Sequence, residues 1–589
     1  MNKLMTTLAL SVSMVLTGCH TSTSKVEKPV TPTPPATAED LALSVVSNSG
    51  KQLTFEWTDI GADEYVLCRE INAVCDEVAI IDPNAINVMA AESDVTTTNG
   101  EGLRLSHSYY VDSLLGANDT DVFYVRARSA DTTLDSEELV LNYKEFNNIV
   151  GKYIPKQPVE WQNQGHVVAI SGDGKTKAIT TLTSGDPEVN GGEVTVYTRG
   201  DNGWVEVAVL KSPFTSADPI TGFGVDLDID DAGNTIAVGS WKQTVGGIAE
   251  AGAAYVFTKS EQGDWSDYKL IENPVPTLKD FFAASLSLSG NGKWLAIGAY
   301  NEDSSGTTIE AQLPIDDLSS NTGAVYLYGL NESNGAWEFA YTFKAPNADN
   351  NDFFGRKVRL STEGDVLLST ANGEDSFTGQ PEDNSVPSVG AGYVFRKQGD
   401  SSWAYEAYLK SPLPIKQSGF GDSAAISHSG DLIVLGVANE ADTAAADPTG
   451  LVQYGAVHIW GFDGSTWVHQ SRLKASNAED GDGFGASVAL GNNGTWLAVG
   501  ARYEDSAGVG IDADQSDNSA LNAGAAYIFE LQGSWAQTHY VKSMNTTEKS
   551  FFGKSIAFSA IAKELAVSAP AELVGDQGAQ VNAGIVYLY

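Results

Sequence analysis

The feature that most constrains the fold of this chain is a sequence unit that occurs seven times. One copy begins GFGASVALGNNGTWLAVGARYED at Gly483 and continues, after a polar run, as NAGAAYIFELQGSWAQTHYVKSM. Three short apolar segments with alternating character, and a fourth after Trp535, are separated by Gly, Asn and Asp, so the unit predicts a four-stranded meander. Such a sheet alone would expose both apolar faces, and we therefore expect it to pack against other copies.

The other copies are identified by the same segments. The second strand returns as TIAVGS, WLAIGA, VLLSTA, LIVLGV and ELAVSA, and the third as GAAYVF, GAVYLY, GAGYVF, GAVHIW and GIVYLY. A divergent first copy runs from QGHVVAIS to Trp204. The copies recur roughly every 65 residues, which is too long for a solenoid repeat and typical of a propeller blade with one extended loop. In the other copies a Phe-Gly pair, or Phe-Ala once, precedes the first strand at Phe223, Phe282, Phe354, Phe420, Phe484 and Phe552.

The two ends of the repeat region predict that the sheets close into a ring. NIVGKYI, from Asn148, looks like a fourth strand that no copy precedes, while the last copy reaches Tyr589 at the end of its third strand. We expect the strand near 149–154 to complete the sheet that runs from Phe552 to Tyr589. Closure of this kind removes the two exposed edges that an open stack would leave.

The Phe-Gly pairs and the apolar segments around them resemble FG-GAP repeats, the family of the integrin α-subunit β-propeller and of many bacterial exported proteins. The resemblance covers residues 147–589 and implies an all-β fold with a seven-bladed β-propeller. Integrin propellers carry a calcium loop of the D-x-D-x-D-G kind between the first two strands. Here that connection is short and poor in carboxylates, and only Asp228, Asp230 and Asp231 come near the pattern. We therefore do not carry the calcium site of the family over to this chain.

Residues 1–18 have the features of a bacterial lipoprotein signal peptide. One Lys precedes an apolar run that is too short to span a bilayer, and Leu16-Thr17-Gly18-Cys19 resembles a lipobox. The resemblance implies cleavage before Cys19 and acylation of its thiol, with an ordinary secretory signal as the alternative. His20 after the cysteine implies delivery to the outer membrane, on its periplasmic or cell-surface face. Residues 19–40 are rich in Ser, Thr and Pro and predict an extended tether.

Residues 41–145 predict a small β-sandwich that precedes the propeller. Trp57, Tyr65, Leu115 and Tyr124 fall where fibronectin type III domains keep core residues, so the unit resembles that family. Most domains of this kind act as spacers, and no function follows from the resemblance alone.

The cysteines of this unit, Cys68 and Cys75, are the only ones besides Cys19. They flank an expected turn, and in an exported protein we expect them to form a disulfide that closes a hairpin. A metal site would need more ligands than His107, the nearest histidine in sequence. A catalytic thiol does not suit an oxidising compartment.

Composition and loop chemistry narrow the class of partner. The formal net charge is −41, which disfavours nucleic acid and anionic lipid and favours cations or a cationic surface, although solubility in a salty environment explains the same charge. Carboxylates gather after the second strands and before the Phe-Gly pairs, at one end of an up-and-down blade. We expect an acidic face there that binds Ca²⁺ or a cationic partner, with a merely solvated rim as the alternative. The metal candidates are Glu504, Asp505, Asp512 and Asp514. The other candidates for the binding face are Glu302, Asp303, Glu374, Asp375, Glu479, Asp480 and Asp482.

Catalysis is not expected from the residue pattern. The histidines occupy no common repeat position, and the sequence contains no GxSxG, HExxH or Walker motif. Sialidase-like propellers use an arginine cluster, whereas the arginines here are few and scattered. Abundant carboxylate pairs leave a propeller glycosidase or lyase open. The sequence favours a lipid-anchored envelope binding or adhesion protein whose acidic propeller face meets an extracellular protein or a glycan; the alternative is a structural subunit of an envelope assembly.

Overall fold

The structure is a computed structural model of the chain. It describes residues 37, 41–49, 51–71, 74–81, 95–97, 103–111, 114, 120–130, 132–142, 150–182, 191–200, 203–213, 221–313, 316–399, 401–559, 564–575 and 580–589. The predicted signal peptide, Cys19 and all of the tether except residue 37 lie outside the described residues. Within these ranges, no helix combines the length and the apolar character needed to cross a membrane.

Two antiparallel sheets form the N-terminal unit. One has the strand order β1-β2-β6-β5, and the other has the order β4-β3-β7-β8 with β9 also paired to β7. Their strands are β1 (Leu43–Ser49), β2 (Gln52–Thr58), β3 (Glu64–Ile71), β4 (Val74–Ile81), β5 (Val95–Thr97), β6 (Leu103–Tyr110), β7 (Thr120–Ser129), β8 (Thr132–Asp135) and β9 (Leu139–Asn142).

The two sheets of this unit share one core. Phe55 and Trp57 of β2 are buried together with Tyr65 of β3 and Phe123 of β7. Phe55 and Trp57 face the same side because alternate residues of a strand do so. The rings of Phe55 and Phe123, one from each sheet, have centroids 4.8 Å apart. The sheets are therefore held together by an aromatic contact across their interface.

The structure corrects one predicted core residue of this unit. Tyr124 does not join the core around Trp57 but packs in a separate small cluster with Cys68, because its two neighbours in β7 are the ones that face the core. Leu115 lies outside the described residues. Cys68 and Cys75 form a disulfide across the β3–β4 hairpin, with their Cα atoms 5.0 Å apart.

Seven antiparallel sheets, each built on four strands, occupy the described residues from 151 onward. Strand β10 (Gly151–Tyr153) precedes them. The first three sheets contain β11 (Gln164–Ile170), β12 (Thr176–Thr181), β13 (Glu193–Gly200) and β14 (Gly203–Lys211); β15 (Phe223–Ile229), β16 (Thr235–Ser240), β17 (Ala253–Thr258) and β18 (Tyr268–Glu272); and β19 (Ser285–Leu288), β20 (Trp294–Ala299), the short β21 (Ile309–Glu310), β22 (Ala324–Asn331) and β23 (Ala336–Phe343).

The remaining four sheets repeat the same meander. They contain β24 (Val358–Leu360), β25 (Val366–Ala371), β26 (Ala391–Lys397) and β27 (Trp403–Leu409); β28 (Ser423–Ile426), β29 (Leu432–Val437), β30 (Ala456–Phe462) and β31 (Trp467–Leu473); β32 (Phe484–Gly491), β33 (Trp496–Ala501), β34 (Ala525–Leu531) and β35 (Trp535–Val541); and β36 (Ile556–Phe558), β37 (Leu565–Ala569) and β40 (Ile585–Leu588). Strands β38 (Leu573–Val574) and β39 (Val581–Asn582) form a small separate hairpin.

The seven sheets stand around a central channel. Their first strands, β11, β15, β19, β24, β28, β32 and β36, contact one another in that order, and β36 contacts β11. Residues from all seven first strands line one channel cavity of about 250 Å³. Because the strands of each sheet run up and down, the loops after the second strands and the segments before the first strands share one end of the ring. We call this the loop end, and the opposite end, with the tight turns between first and second strands, the turn end.

Strand β10 completes the last sheet. It pairs antiparallel with β40, so that Gly151, Lys152 and Tyr153 lie opposite Leu588, Tyr587 and Val586. The sheet order is β10-β40-β37-β36, which combines strands from both ends of the repeat region. The strand is shorter than the segment 149–154 predicted from sequence: Ile154 follows it, and residue 149 lies outside the described residues.

The Phe-Gly pairs connect neighbouring sheets. Phe354 is fully buried and forms a parallel bridge with Gly323, which lies just before the third strand of the preceding sheet. Phe282, Phe484 and Phe552 make the corresponding bridge to Gly252, Gly455 and Gly524. Gly355 has a φ of +90°, and a Cβ atom there would lie 2.5 Å from the carbonyl oxygen of Ala324. The pair therefore packs sheet against sheet, and its glycine permits the close backbone approach.

The N-terminal unit packs on the last sheet of the ring. Lys51, beside β2, is fully buried, and its Nζ lies 3.1 Å from Glu564 Oε1 and 3.3 Å from the carbonyl oxygen of Tyr589. The apolar core of the unit also continues into residues of the last sheet. An ion pair with both partners buried fixes the position of the unit at this contact.

Candidate functional site

A glutamate lies three residues after the second strand in five of the seven sheets. These side chains are between 0% and 5% exposed. The sequence predicts that Glu302, Glu374 and Glu504 of this series lie on an exposed acidic face, and the structure corrects that prediction. They project from the loop end into the sheet rather than into solvent. The five residues are Glu302, Glu374, Glu440, Glu504 and Glu572.

Three of the buried glutamates are paired with a lysine that directly follows the fourth strand of the same sheet. In one pair, Lys542 Nζ donates to Glu504 Oε2 at 2.7 Å, and the hydroxyl of Tyr540 donates to the other carboxylate oxygen at 2.7 Å. Burial lowers the pKa of each lysine, and its glutamate partner counteracts part of that effect. Each pair ties the loop after the second strand to the end of the fourth. The pairs are Glu302–Lys344, Glu374–Lys410 and Glu504–Lys542.

Glu440 is paired with other residues, and Ser411 also donates to its Oε2 at 2.9 Å. His458 occupies the tyrosine position of the third strand, and its Nε2 lies 2.7 Å from Glu440 Oε2. Arg472 Nε donates to Glu440 Oε1 at 2.5 Å. Burial alone would raise the pKa of Glu440, but His458 and Arg472 together lower it below its ordinary value. The same structural position is thus neutralised by a different set of residues.

Glu572, in the sheet completed by β10, has no lysine at the corresponding position. The fourth strand ends at Tyr153, and the next residue is Ile154. The hydroxyl of Tyr587 donates to Glu572 Oε1. Burial raises the pKa of Glu572 to about 7. The carboxyl group of Glu572 therefore holds its proton more readily than that of an ordinary glutamate.

The four predicted calcium ligands do not converge. Among the described residues, no group of three or more His, Cys, Asp or Glu side chains is arranged to hold a metal ion. The structure thus corrects the predicted set, because these carboxylates accept hydrogen bonds from the protein itself. Glu504 accepts from Lys542, Asp505 from the N–H of Asn522 at 2.7 Å, Asp512 from the N–H of Tyr540 at 3.1 Å, and Asp514 from the N–H of Ser516 at 2.9 Å.

The aspartates that follow the buried glutamates fasten the long loops. Asp303 accepts the N–H of Asn321 at 2.6 Å, and Asp375 accepts the N–H of Ser388 at 2.8 Å. Asp505 makes the equivalent bond. All three therefore anchor the end of the loop that leads into the third strand.

The acidic residues before Phe484 divide into buried and exposed ones. Asp482 is 5% exposed and accepts the N–H of Glu479 at 2.9 Å, and burial raises its pKa to about 6. Glu479 and Asp480 are exposed. Glu479 accepts from the side-chain amide of Asn518, and Asp480 accepts the N–H of Gln453. Of the residues predicted for a binding face, these two present their carboxylates most openly.

The cationic residues at the loop end are the ones that sequence reasoning misses. The arginines look scattered in sequence, but the fold brings three of them, with two lysines and His166, around one cavity of about 250 Å³. The sequence does carry one signal: His166, Arg356 and Lys554 each directly follow a glycine at or just before the start of a first strand. The five cations are Arg356, Lys357, Arg359, Arg502 and Lys554.

A closed ring of four-stranded meanders around a channel defines a β-propeller. Residues 467–529 match the family model of the FG-GAP repeat. The match runs from the fourth strand of one sheet through the third strand of the next. Residues 467–529 are thus similar to an FG-GAP repeat, and they lie within the ring of sheets.

Two solved structures of β-propellers align with most of this chain. The Dos1 propeller is 13% identical, with a TM-score of 0.35, and the alignment covers 74% of this chain and 95% of that one. The β-propeller domain of the Trilobed protease from Pyrococcus furiosus is 9% identical, with a TM-score of 0.32, covering 72% of this chain and 95% of that one. A search of curated proteins finds no match.

Proposed function

We propose that this protein is a lipid-anchored binding protein of a bacterial cell envelope. Acylated Cys19 holds it in the outer membrane, residues 19–40 act as a tether, and residues 41–145 are a fibronectin type III-like sandwich that acts as a spacer. The seven sheets of residues 147–589 are the blades of a seven-bladed propeller that presents its loop end to an extracellular or envelope protein or to a glycan. The proposed role is binding and includes no reaction.

The observation that carries this proposal is the difference between the two ends of the ring. The turn between β19 and β20 contains residues 289–293, whereas the loop end carries residues 300–323 between β20 and β22 and residues 502–524 between β33 and β34. Long loops held on a rigid scaffold are the usual location of binding residues. The buried Glu–Lys pairs and the aspartate anchors hold these loops in place.

The disulfide between Cys68 and Cys75 supports the proposed location outside the cytoplasm. Disulfides persist in oxidising compartments and are rare in the bacterial cytosol. Labelling of expressing cells with a radioactive fatty acid tests the anchor: we expect label in the parent and none in Cys19→Ser. Equal labelling of both proteins would contradict anchoring at Cys19.

The binding role is tested with the mature protein immobilised through its N-terminus. Recovery of one stoichiometric partner from envelope extracts would favour an envelope assembly, whereas binding to a defined group of sugars on a glycan array would favour adhesion. A matched bait in which the residues of the loops 505–520 are replaced by a Gly/Ser loop of equal length is expected to lose the ligand. Capture that is unaffected by this replacement, or no capture by either bait, would contradict binding through these loops.

A further inference from the structure

The loop end of the channel contains a cationic cavity within an acidic protein. Five cationic side chains and only two carboxylates, Asp226 and Asp422, line this cavity of about 250 Å³. The chain as a whole has a net charge of −41. Composition therefore does not account for the local excess of positive charge, and the fold must assemble it from separate sheets.

Both carboxylates of the cavity are engaged by other groups. Asp226 accepts the N–H groups of Leu227 and Leu286, each at 3.1 Å. Asp422 accepts from the side-chain amide of Asn372 at 2.8 Å and lies 3.7 Å from Arg356 Nε. Two carboxylates offset at most two of the five cationic charges, so the cavity keeps an excess of positive charge.

Among the described residues, none accepts a hydrogen bond from the ammonium group of Lys357 or Lys554. Within the part of the chain that the structure describes, neither forms a side-chain hydrogen bond or an ion pair, although both are half-buried. Burial lowers the pKa of both lysines, and Asp226 counteracts part of that effect at Lys357. The nearby cations Arg502, Lys357 and Arg356 contribute to lowering the pKa of Lys554, to about 8. A desolvated cation without a partner is costly, and a bound anion would relieve that cost.

An aromatic surface adjoins the cationic cavity. A neighbouring cavity of about 230 Å³ shares His166, Arg502 and Lys554 with the first and is flanked by Tyr503 and Phe551. The two rings meet edge to face, with centroids 6.0 Å apart. Burial lowers the pKa of His166 to about 4, so at neutral pH its ring offers hydrogen bonds without charge. Aromatic faces beside charged donors match a ligand that combines a sugar ring with an acidic group.

We propose that the loop end of the channel binds a small acidic saccharide. Its carboxylate or sulfate lies between Lys357 and Lys554, and its ring packs against Tyr503 and Phe551. Cavities of this size hold one or two sugar rings rather than a long polymer. The exposed carboxylates of the surrounding loops, such as Glu479, disfavour extended polyanions through like-charge repulsion. The inference names a ligand class for the loop end; it rests on the proposed binding role of that end and not on the membrane anchor.

Calorimetric titration of the mature protein with digalacturonate, neutral galactobiose and sodium sulfate tests the inference. We expect digalacturonate to bind, with an affinity that falls as NaCl is added, and galactobiose not to bind. Lys357→Gln and Lys554→Gln should each weaken digalacturonate binding about tenfold, because each removes one charge-assisted hydrogen bond. Lys293→Gln makes the same charge change at the turn end and should leave the affinity unchanged.

The lysine variants also have an expected stability that separates binding from folding. Because each substitution removes a partly buried cation that lies among other cations, the ligand-free variants should melt at or above the temperature of the parent. Any one of three results would overturn the inference. They are equal binding of the acidic and neutral disaccharides, unchanged affinity of the double lysine variant for digalacturonate, and binding of sulfate without binding of any saccharide. Capture of a protein partner by both the parent and the double variant, without saccharide binding, would overturn it as well but leave the proposed binding function standing.

Discussion

At the scale of single residues, one repeat position shows how a partner decides the chemistry of a side chain. Glu504 and Glu572 follow the second strands of adjacent sheets at the same distance and are both buried. Glu504 forms a buried salt bridge with Lys542. Glu572 has Ile154 at the position where the other sheet has its lysine, and burial raises the pKa of Glu572 from an ordinary 4.5 to about 7. The same residue type therefore stabilises one sheet through its charge and the other through its proton.

Glu572→Gln should reduce the loss of unfolding free energy that the parent protein shows as the pH becomes alkaline. A group whose pKa is raised by folding stabilises the protein below its unfolded pKa, and this contribution is lost as pH rises through about 7. Glutamine stays neutral and can still accept from Tyr587. We expect the variant to exceed the parent in unfolding free energy by up to about 3 kcal/mol at pH 8 and to match it at pH 4.5. Urea titrations at both pH values measure this difference, and a gain of equal size at both would refute the protonation argument.

Gly323→Ala should be far more destabilising than an ordinary glycine substitution. Gly323 has a φ of +80°, and a Cβ atom there would lie 2.0 Å from the carbonyl oxygen of Phe354 in the next sheet. We expect a loss of about 3 kcal/mol or more. Gly335→Ala is the matched control, because its φ is +69° but nothing lies within 4 Å of the added atom; it should cost about 1 kcal/mol. Equal losses in thermal unfolding experiments would show that the Phe-Gly contact between sheets is not close.

At the scale of the structural element, a blade is held by more than its strand ladder. The loop after the second strand turns back, its glutamate meets the lysine that follows the fourth strand, and its aspartate fixes the entry to the third. Lys542 and Glu504 are 0% and 2% exposed at their side chains. The pair therefore crosses the sheet at the loop end and limits how far its outer strand can separate.

Lys542→Met should remove the ion pair with Glu504 and destabilise the protein by about 3 to 5 kcal/mol, because it leaves the buried Glu504 without its cation. The double variant Glu504→Gln with Lys542→Met should recover most of the loss. Denaturant unfolding of the two single variants and the double variant gives the coupling energy. The exposed pair Lys293–Glu332, with its charged atoms 3.0 Å apart, is the control and should contribute no more than about 1 kcal/mol. A coupling in the buried pair as small as in the control would contradict this role.

The repeats in the sequence predict strands well because their period and turn residues are local properties. The segments WLAIGA and GAVYLY, for example, correspond to β20 and β22. Side-chain environments are harder to predict: Glu302 and Asp303 look equally exposed in sequence, but Glu302 points toward Lys344 inside the sheet. The cationic cavity is harder still, because Arg356, Arg502 and Lys554 come from different sheets and meet only once the ring is formed. Local pattern thus defines the strands, whereas the site depends on contacts between distant copies.

At the scale of the whole molecule, the ring depends on a strand that precedes all seven sheets in sequence. β10 lies opposite β40 and leaves the last sheet with four strands. Tyr153 also contacts the ring of Tyr197 in the first sheet, with centroids 5.0 Å apart, and its ring lies 3.0 Å from the buried Lys177 Nζ. The short strand thus joins the first and last sheets directly. The channel and the cavity at its loop end exist only while this junction holds.

The most direct test of the account replaces residues 151–154 with Ser-Gly-Ser-Gly in the full chain and compares its melting temperature with that of the parent. Replacement of residues 155–158 in the same way serves as the control, since that segment lies between β10 and β11 and belongs to neither strand. We predict that the first replacement lowers the melting temperature by roughly 5 °C or more, because it removes the ladder and the packing of β10. The control should melt close to the parent. A 151–154 variant that also melts like the parent would contradict closure of the ring by β10.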